Sequence, residues 1–324
     1  MINPDISLHS IYEAAERISP YIIKTPLHTY PGINKIIGTD VFIKHENHQS
    51  IGSFKIRGAL NYLLSSEISD GVIVASTGNF GQGVAFAGRV LGVKVKVVVP
   101  KEANTVKLDA MTNLDAEIIE YGNDFDQARE KAEQLSKELS WTYIHSANEP
   151  KLIAGVGTYT LEILQELSDV DVIIVPIGGG SGVCGTCITA KSMNPKIKII
   201  GVQSKEAPAA YESWKTGNIQ TYISNTRADG LATNFGYELT QQIMKQYLDD
   251  FLLVSEEDMI NAVFLYLKET RNLAEYAGSA SLAAAIQIKD NLVGKKTVLV
   301  LSGGNITMKE LQRVISVQKI SLKE

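Results

Sequence analysis

The sequence has few of the features that mark specialised protein classes. It contains only two cysteines in 324 residues, Cys184 and Cys187, which is too few for a disulfide framework. No apolar run is long enough to cross a bilayer, and the N-terminal segment lacks the apolar core of a signal peptide. Lys and Arg form no block, and the formal net charge is −5. We therefore expect a cytoplasmic protein that binds a small molecule, with neither nucleic acid nor membrane as a partner.

The chain also lacks an internal repeat, a low-complexity segment and a linker rich in Pro or Gly. Instead, β-rich runs alternate with amphipathic segments, and the unbroken Val and Ile runs suit strands buried on both faces of a parallel sheet. The runs predict strands over Val41–Lys44, Val72–Ser76, Val93–Val99, Ala116–Tyr121, Val170–Pro176, Ile197–Val202, Phe251–Val254 and Thr297–Leu301. The amphipathic segments predict helices over Phe54–Leu64, Gln82–Val90, Asp124–Leu139, Leu152–Leu167, Glu257–Thr270 and Ser279–Lys289.

This alternation predicts the α/β fold class, with open sheets wound on both faces by helices. Because no linker divides the chain, a second unit has to be an insertion. The self-contained βαβαβα block at residues 70–148 is the candidate for a small, substrate-clamping unit. Residues 1–69 and 149–324 would then form a large unit, and a cleft between two such units is a common ligand site.

Three predicted strands run into glycine-rich turns, at Ala75–Gly83, Pro176–Gly185 and Leu301–Asn305. Glycine allows the backbone to approach a ligand closely, and the N-terminus of a following helix attracts an anion. The turn at Pro176–Gly185 therefore predicts a phosphate site, although such glycines also serve plain helix–sheet packing. The same turn matches the GxGxxG pattern of dinucleotide sites over Gly180–Gly185. That alternative requires an acidic residue after the next strand, where Gln203 and Ser204 stand instead.

Lys55 lies in the segment Ser53-Phe54-Lys55, where a helix is predicted to begin. Most lysines are exposed surface charges. Apolar neighbours and the positive end of a helix would lower the pKa of Lys55, and a lysine that forms a Schiff base needs a lowered pKa.

Together these motifs resemble the fold-type II pyridoxal-phosphate enzymes, in the branch of threonine/serine dehydratases and serine racemase. The resemblance covers almost the whole chain, in the family's order, and implies a tryptophan-synthase-beta-like fold, a pyridoxal 5'-phosphate cofactor in the large unit and a homodimer. It implies that Lys55 is the Schiff-base lysine and that Thr77 is a second catalytic group. It places the cofactor against Phe54, Lys55, Asn79, Gly178, Gly179, Gly180, Ser181, Gly182, Glu275 and Ser302. It places the substrate against Ser76, Thr77, Gly78, Asn79 and Phe80.

The resemblance implies an ammonia-lyase that removes water and ammonia from a threonine- or serine-like amino acid to give a 2-oxo acid. A neutral Ser302 at the cofactor's ring nitrogen would favour β-elimination over transamination. Thr77 stands where the racemases use serine, and Phe80 stands where many relatives have histidine. Metal-dependent relatives carry two carboxylates where this chain has Gln203 and Ala209, so we expect no metal there.

Two short motifs invite other interpretations. The pair His45 and His48 is not spaced as in HExxH, and a surface or supporting role is favoured over zinc. Cys184 and Cys187 form a CxxC without a second cysteine pair, which favours packing behind the phosphate turn.

Several functions stay open at this stage. Some segments resemble the branch named for hydroxyectoine utilisation, which makes a hydroxyectoine derivative a candidate substrate. Racemisation or β-replacement on the same fold is a second reading. A dinucleotide-dependent oxidoreductase and a non-catalytic binding or sensing protein are the remaining alternatives.

Overall fold

The structure is a computed structural model that describes residues 6–68, 70–101, 103, 105–123 and 125–321. Residues 1–5, 69 and 322–324, which belong to the predicted large unit, lie outside the described residues, as does Asp124, the first residue of a predicted helix. Within the described ranges, no helix combines the length and the apolar character needed to span a bilayer.

The strands form two separate sheets. Their bounds are β1 Leu27–Thr29, β2 Val41–His45, β3 Gly71–Ala75, β4 Lys94–Val99, β5 Glu117–Glu120, β6 Thr142–Tyr143, β7 Val172–Pro176, β8 Lys198–Ser204, β9 Asp250–Val254 and β10 Thr297–Leu301. The larger sheet has the order β1-β2-β10-β7-β8-β9, and the smaller has the order β5-β4-β3-β6. Only the β1–β2 pair is antiparallel among these described strands.

Helices connect and cover the strands of both sheets. Their bounds are α1 Leu8–Ile18, α2 Pro31–Ile37, α3 Lys55–Ser65, α4 Asn79–Leu91, α5 Thr105–Thr112, α6 Phe125–Leu139, α7 Pro150–Glu166, α8 Ser181–Met193, α9 Ala209–Thr216, α10 Glu238–Tyr247, α11 Glu256–Leu265, α12 Tyr276–Gln287, α13 Lys289–Leu292 and α14 Met308–Ser321. Short 3₁₀ turns occupy Glu46–His48 and Asp229–Leu231, and a π-helical turn occupies Tyr266–Thr270.

The larger sheet is covered on both faces, as unbroken Val and Ile strands require. One apolar cluster joins α1, α7, α8 and α10 to the sheet, and another joins α2, α11 and α12 to its opposite side. Strand β10 lies between β2 and β7 and is parallel to both. The carboxyl ends of these three strands therefore meet at one edge of the sheet, where α/β proteins bind ligands.

The smaller sheet lies within the segment predicted as an insertion. Its four strands span Gly71 to Tyr143, and its core is completed by α3, which begins at Lys55. Helix α3 also packs on α7 of the larger sheet, so the segment that carries Lys55 lies between the two sheets. The residue bounds of the two units stay a prediction.

The predicted α/β class is confirmed, and so are all eight predicted strands. Strands β1 and β6 were missed because they are only three and two residues long, too short for a periodic pattern. The six predicted helices occur with shifted ends. Helix α4 begins at Asn79, three residues earlier than predicted, and the predicted helix over Glu257–Thr270 finishes as a π-helical turn.

Candidate active site

One cavity of about 260 Å³ opens at the carboxyl edge of the larger sheet and is also lined by the smaller unit. All fourteen residues singled out from the sequence line it, namely Phe54, Lys55, Ser76, Thr77, Gly78, Asn79, Phe80, Gly178, Gly179, Gly180, Ser181, Gly182, Glu275 and Ser302. The fold thus brings together residues from separate stretches of chain. Their individual roles stay predictions.

Lys55 begins α3 and points into this cavity. Its Nζ lies 3.5 Å from Ser181 Oγ and 5.0 Å from the centre of the Phe54 ring. Burial lowers the pKa of Lys55 to about 8, although the carboxylate of Glu275 opposes the shift. An amine with that pKa is partly neutral near pH 7, so Lys55 can attack a carbonyl or accept a proton.

The glycine turn after β7 leads into α8 and forms an anion cradle. Gly180 caps α8 with φ +97°, a conformation that other residues rarely adopt. A Cβ on Gly178 would lie 2.2 Å from the carbonyl oxygen of Gly230, so no side chain fits there. No side chain caps α8, which leaves the N–H groups of its first turn available to a phosphate.

The loop after β3 forms a second helix N-terminus at the cavity. Ser76 Oγ accepts hydrogen bonds from the N–H groups of Gly78 (3.3 Å) and Gly81 (2.9 Å), which fixes the turn that begins α4. The first turn of α4 faces the cavity, where it suits a carboxylate. Phe80 is buried in the core of the smaller unit and also lines the cavity.

A chain of side-chain amides leads to Glu275. Asn305 Nδ2 donates to Asn79 Oδ1 at 2.8 Å, and Asn79 Nδ2 donates to Glu275 Oε1 at 2.7 Å. Burial raises the pKa of Glu275 to about 7, while Lys107 and the Asn79 amide lower it. A Cβ on Gly303 would lie 2.4 Å from Glu275 Oε1, so the carboxyl group lies directly against the turn after β10.

Ser302 follows β10, the strand at the meeting point of β2 and β7. It is buried, and its carbonyl oxygen accepts a hydrogen bond from the N–H of Phe54 at 3.2 Å. This bond ties the turn after β10 to the segment that carries Lys55. A helix directly follows two of the three glycine-rich turns, those after β3 and β7. After β10, chain without helix runs from Ser302 to the start of α14 at Met308.

The sequence interpretation missed several lining side chains, among them Lys107, Phe125, Asp229 and Tyr237. Lys107 and Phe125 belong to α5 and α6 of the smaller unit, and the other two belong to the segment before α10. No local pattern marks Lys107, Phe125 or Tyr237, since each joins the site only when the two sheets pack together. For Asp229, the segment Ala228–Ala232, which is also similar to the family, was an available signal.

The residues behind three rival interpretations, namely Gln203, the pair Cys184 and Cys187, and His45, are buried. Gln203 is buried, and its Oε1 accepts a hydrogen bond from the N–H of Tyr211, so the position expected to bind a ribose is occupied by a structural contact. Cys184 and Cys187 are buried in α8. His45 is buried as well, which makes the surface role wrong for it, and burial lowers its pKa to about 3. Among the described residues, no group of three or more His, Cys, Asp or Glu side chains is arranged to hold a metal.

Comparisons with known proteins agree with this geometry. The family model described as "Pyridoxal-phosphate dependent enzyme" matches residues 18–303. The L-threonine ammonia-lyase of Thermotoga maritima is 37% identical over 96% of this chain and 78% of its own length. The serine racemase of Dictyostelium discoideum is 37% identical over 96% of this chain and 98% of its own length. The crystal structure of that serine racemase superposes with a TM-score of 0.88 at 38% identity, covering 94% of this chain and 100% of the racemase chain.

Proposed function

The chain belongs to the family of pyridoxal-phosphate-dependent enzymes, and from this premise we propose that it removes water and ammonia from a small β-hydroxy amino acid. Threonine and serine are the substrates of first choice, and a 2-oxo acid is the product. The observation that carries the proposal is the half-buried amine of Lys55, with its pKa of about 8, beside the side chain of Ser181 and the glycine cradle.

The cavity fits pyridoxal phosphate through its own donors. Lys55 would bond the cofactor covalently, the first turn of α8 and the glycines before it would hold the phosphate, and Asn79 would donate to the ring hydroxyl. Ser302, which lines the cavity, would be a neutral partner for the ring nitrogen. When bound, pyridoxal phosphate supplies an electron sink at the substrate's Cα, while the protein supplies position and electrostatics.

The remaining steps belong to side chains of this chain. The first turn of α4 would bind the substrate carboxylate through backbone N–H groups, which orients Cα toward Lys55. Lys55, once released as a free amine, would take the proton from Cα. Phe80 supplies an apolar wall, and the Thr77 hydroxyl is the candidate for proton transfer in the substrate loop.

An absorption spectrum and a substrate panel test this proposal. The purified protein should be yellow, and borohydride should bleach it. The colour should disappear in Lys55→Ala and persist in Lys94→Ala, because Lys94 is exposed on β4. The panel would measure 2-oxo acid from threonine, serine, 3-hydroxyaspartate and amino acids derived from hydroxyectoine. A colourless protein that binds no pyridoxal phosphate would refute the proposal, and a yellow protein that neither releases 2-oxo acid nor racemises serine would indicate a binding or sensing role.

Racemisation is a second candidate because the hydroxyl of Thr77 lines the same cavity and a relative at 37% identity is a serine racemase. Chiral chromatography of serine after incubation tests it. If Thr77 acts on Cα, Thr77→Val should abolish racemisation and leave part of the elimination. Unchanged racemisation in Thr77→Val would exclude this role.

We propose further that the protein is a cytoplasmic homodimer that divides into the units 1–69 with 149–324 and 70–148. Sedimentation equilibrium of the holoenzyme would return twice the chain mass of 35.3 kDa if the dimer is correct. Limited proteolysis followed by mass spectrometry should cut first near the two proposed boundaries.

A further inference from the structure

Lys107 extends from the smaller unit into the wall of the active-site cavity. It lies on α5, and its side chain is only 9% exposed although lysine is normally a surface residue. Its Nζ donates a hydrogen bond to Asp229 Oδ2. Burial works against the ammonium charge, but the Asp229 carboxylate outweighs it and raises the pKa of Lys107. Lys107 therefore stays charged throughout the working pH range.

The ion pair between Lys107 and Asp229 connects the smaller unit to the large unit. Among the ion pairs of the described residues, it alone joins residues 70–148 to the rest of the chain. The ring of His145 also crosses to Tyr237, with ring centres 5.1 Å apart. His145 lies just before the point where the chain returns to the large unit, however. Lys107 joins the two units far from that connection, at the cavity, where the hydrogen bond from Asn79 to Glu275 also crosses between them.

Asp229 is fixed to the phosphate cradle. The 3₁₀ turn that it begins packs against Gly178, because the Gly230 carbonyl oxygen occupies the space of a Gly178 side chain. On the other side, a Cβ on Gly230 would lie 2.8 Å from Ala277 Cβ in α12. The turn that begins at Asp229 is therefore packed closely between the glycine cradle and the first turn of α12.

Lys107 also supplies positive charge to a cluster of carboxyl groups. Asp229, Glu275 and Glu310 all interact electrostatically with it. The carboxylates of Asp229 and Glu310 raise the pKa of Glu275, and the ammonium group of Lys107 lowers it. Lys55 also interacts electrostatically with Glu275. The charge state of Glu275 in the large unit thus depends on a lysine from the smaller unit.

We propose that Lys107 is a positioning residue of the reaction, whose ion pair with Asp229 holds the smaller unit against the phosphate cradle and keeps a positive charge beside Glu275. Only the kinetic part of this proposal depends on the proposed lyase function. Lys107 touches neither the reacting atoms nor the amine of Lys55, so it acts through Asp229 and Glu275.

Hydrogen–deuterium exchange tests the structural part without any substrate. In Lys107→Met, amide exchange in α5 and in Asp229–Leu231 should become about fivefold faster or more, since a charge-assisted hydrogen bond across the two units is lost. Lys107→Arg should keep exchange near the wild-type rate. Lys101→Met removes an exposed lysine of the same unit and should change nothing. Asp229→Asn breaks the pair from the other side and should reproduce the Lys107→Met result if that variant folds poorly.

Steady-state kinetics of the holoenzyme test the part that concerns Glu275. Lys107→Met should raise KM for the amino acid roughly tenfold, with a smaller change in kcat. Lys107→Arg should return KM to near the wild-type value. The limb of the kcat/KM pH profile near 7 should move to higher pH in Lys107→Met, because the cation that lowers the pKa of Glu275 is gone.

The outcomes separate this inference from the lyase proposal. Unchanged exchange in both Lys107→Met and Asp229→Asn would overturn the inference, whatever the activity. Faster exchange without a shift of the pH profile, or without rescue by arginine, would reduce Lys107 to a structural residue and overturn the positioning role. A protein that makes no 2-oxo acid would refute the lyase proposal and leave the exchange result as the test of the ion pair.

Discussion

Arg57 offers a sharp test of how the chain holds Lys55 in place. It lies two residues after Lys55 on α3, and its side chain is completely buried. Its guanidinium donates to Glu46 through Nε (2.8 Å) and Nη2 (2.9 Å), and to Glu162 through Nη1 (2.7 Å) and Nη2 (2.9 Å). The cation thus connects the 3₁₀ turn after β2 to α7, with α3 between them.

We expect Arg57→Met to destabilise the protein by about 3–5 kcal/mol at pH 7, since a buried carboxylate is left without its cation. Glu162 would keep Lys44 as a partner at 2.5 Å. Glu46 is fully buried and would keep only the Thr25 hydroxyl, at 2.6 Å, as a direct hydrogen-bond donor. Most of the lost free energy of unfolding therefore comes from leaving the carboxylate of Glu46 without a cation.

Urea unfolding followed by far-ultraviolet circular dichroism, at a fixed pyridoxal phosphate concentration, measures the free energy of unfolding. Arg89→Met is the matched control, because its exposed pair with Asp115 should contribute less than about 1 kcal/mol. The double variant Arg57→Met/Glu46→Met should recover more than half of the loss. A loss below about 1 kcal/mol in Arg57→Met, or no recovery in the double variant, would refute the reasoning.

The loss of stability in Arg57→Met should depend on pH. Burial opposes the charge on Glu46, but Arg57 outweighs it and lowers the pKa of Glu46 in the folded protein. In the wild type this pair stabilises the fold above the unfolded carboxyl pKa of about 4.3, and the contribution is lost as pH falls below it. In Arg57→Met the two contributions of Arg57 are lost, and only Lys44 and the Thr25 hydroxyl still oppose burial, so the pKa of Glu46 in the folded protein rises instead. The deficit relative to wild type should therefore be greatest at pH 7 and above and should shrink as pH falls toward 5.

Two further predictions follow from close packing at α8. Gly178→Ala should weaken binding of pyridoxal phosphate by roughly tenfold or more, because its Cβ would lie 2.2 Å from the carbonyl oxygen of Gly230. Gly182→Ala should have a much smaller effect, because its Cβ would make ordinary contacts with the Phe54 ring at 3.5 Å and Tyr159 Oη at 3.6 Å. Spectroscopic titration of the apoprotein measures both affinities, and equal losses would contradict the reasoning. Cys184 and Cys187 should be inert to a thiol reagent in the native protein and should both react in urea, because burial raises the pKa of each thiol. Rapid modification of either thiol in the native protein would show that α8 is less closely packed than described.

Local patterns were sufficient for much of this protein. Val and Ile runs such as that of β7 identify buried parallel strands because both faces of such a strand need apolar cover. The glycine turn at Gly178–Gly180 was recognisable because only glycine tolerates the φ of Gly180 and the approach of Gly230. The neighbours of Lys55 indicated only a lowered pKa, and its Schiff-base role was implied by the family resemblance of all the motifs in order along the chain. Each single motif is specified within a few consecutive residues.

Other features needed the packed chain, since burial and electrostatics depend on groups far apart in sequence. The pKa of Glu275 rises because the turns after β10 and around Asn79 enclose it, and no pattern near residue 275 records that enclosure. The burial of His45, which excludes the surface role and leaves the supporting role for this residue, arises the same way. The pair of Lys107 with Asp229 spans 122 positions and exists only because two sheets meet at one cavity. Residue types near the strand ends thus specify the cofactor chemistry, whereas tertiary packing decides which charges surround it and what holds the cavity together.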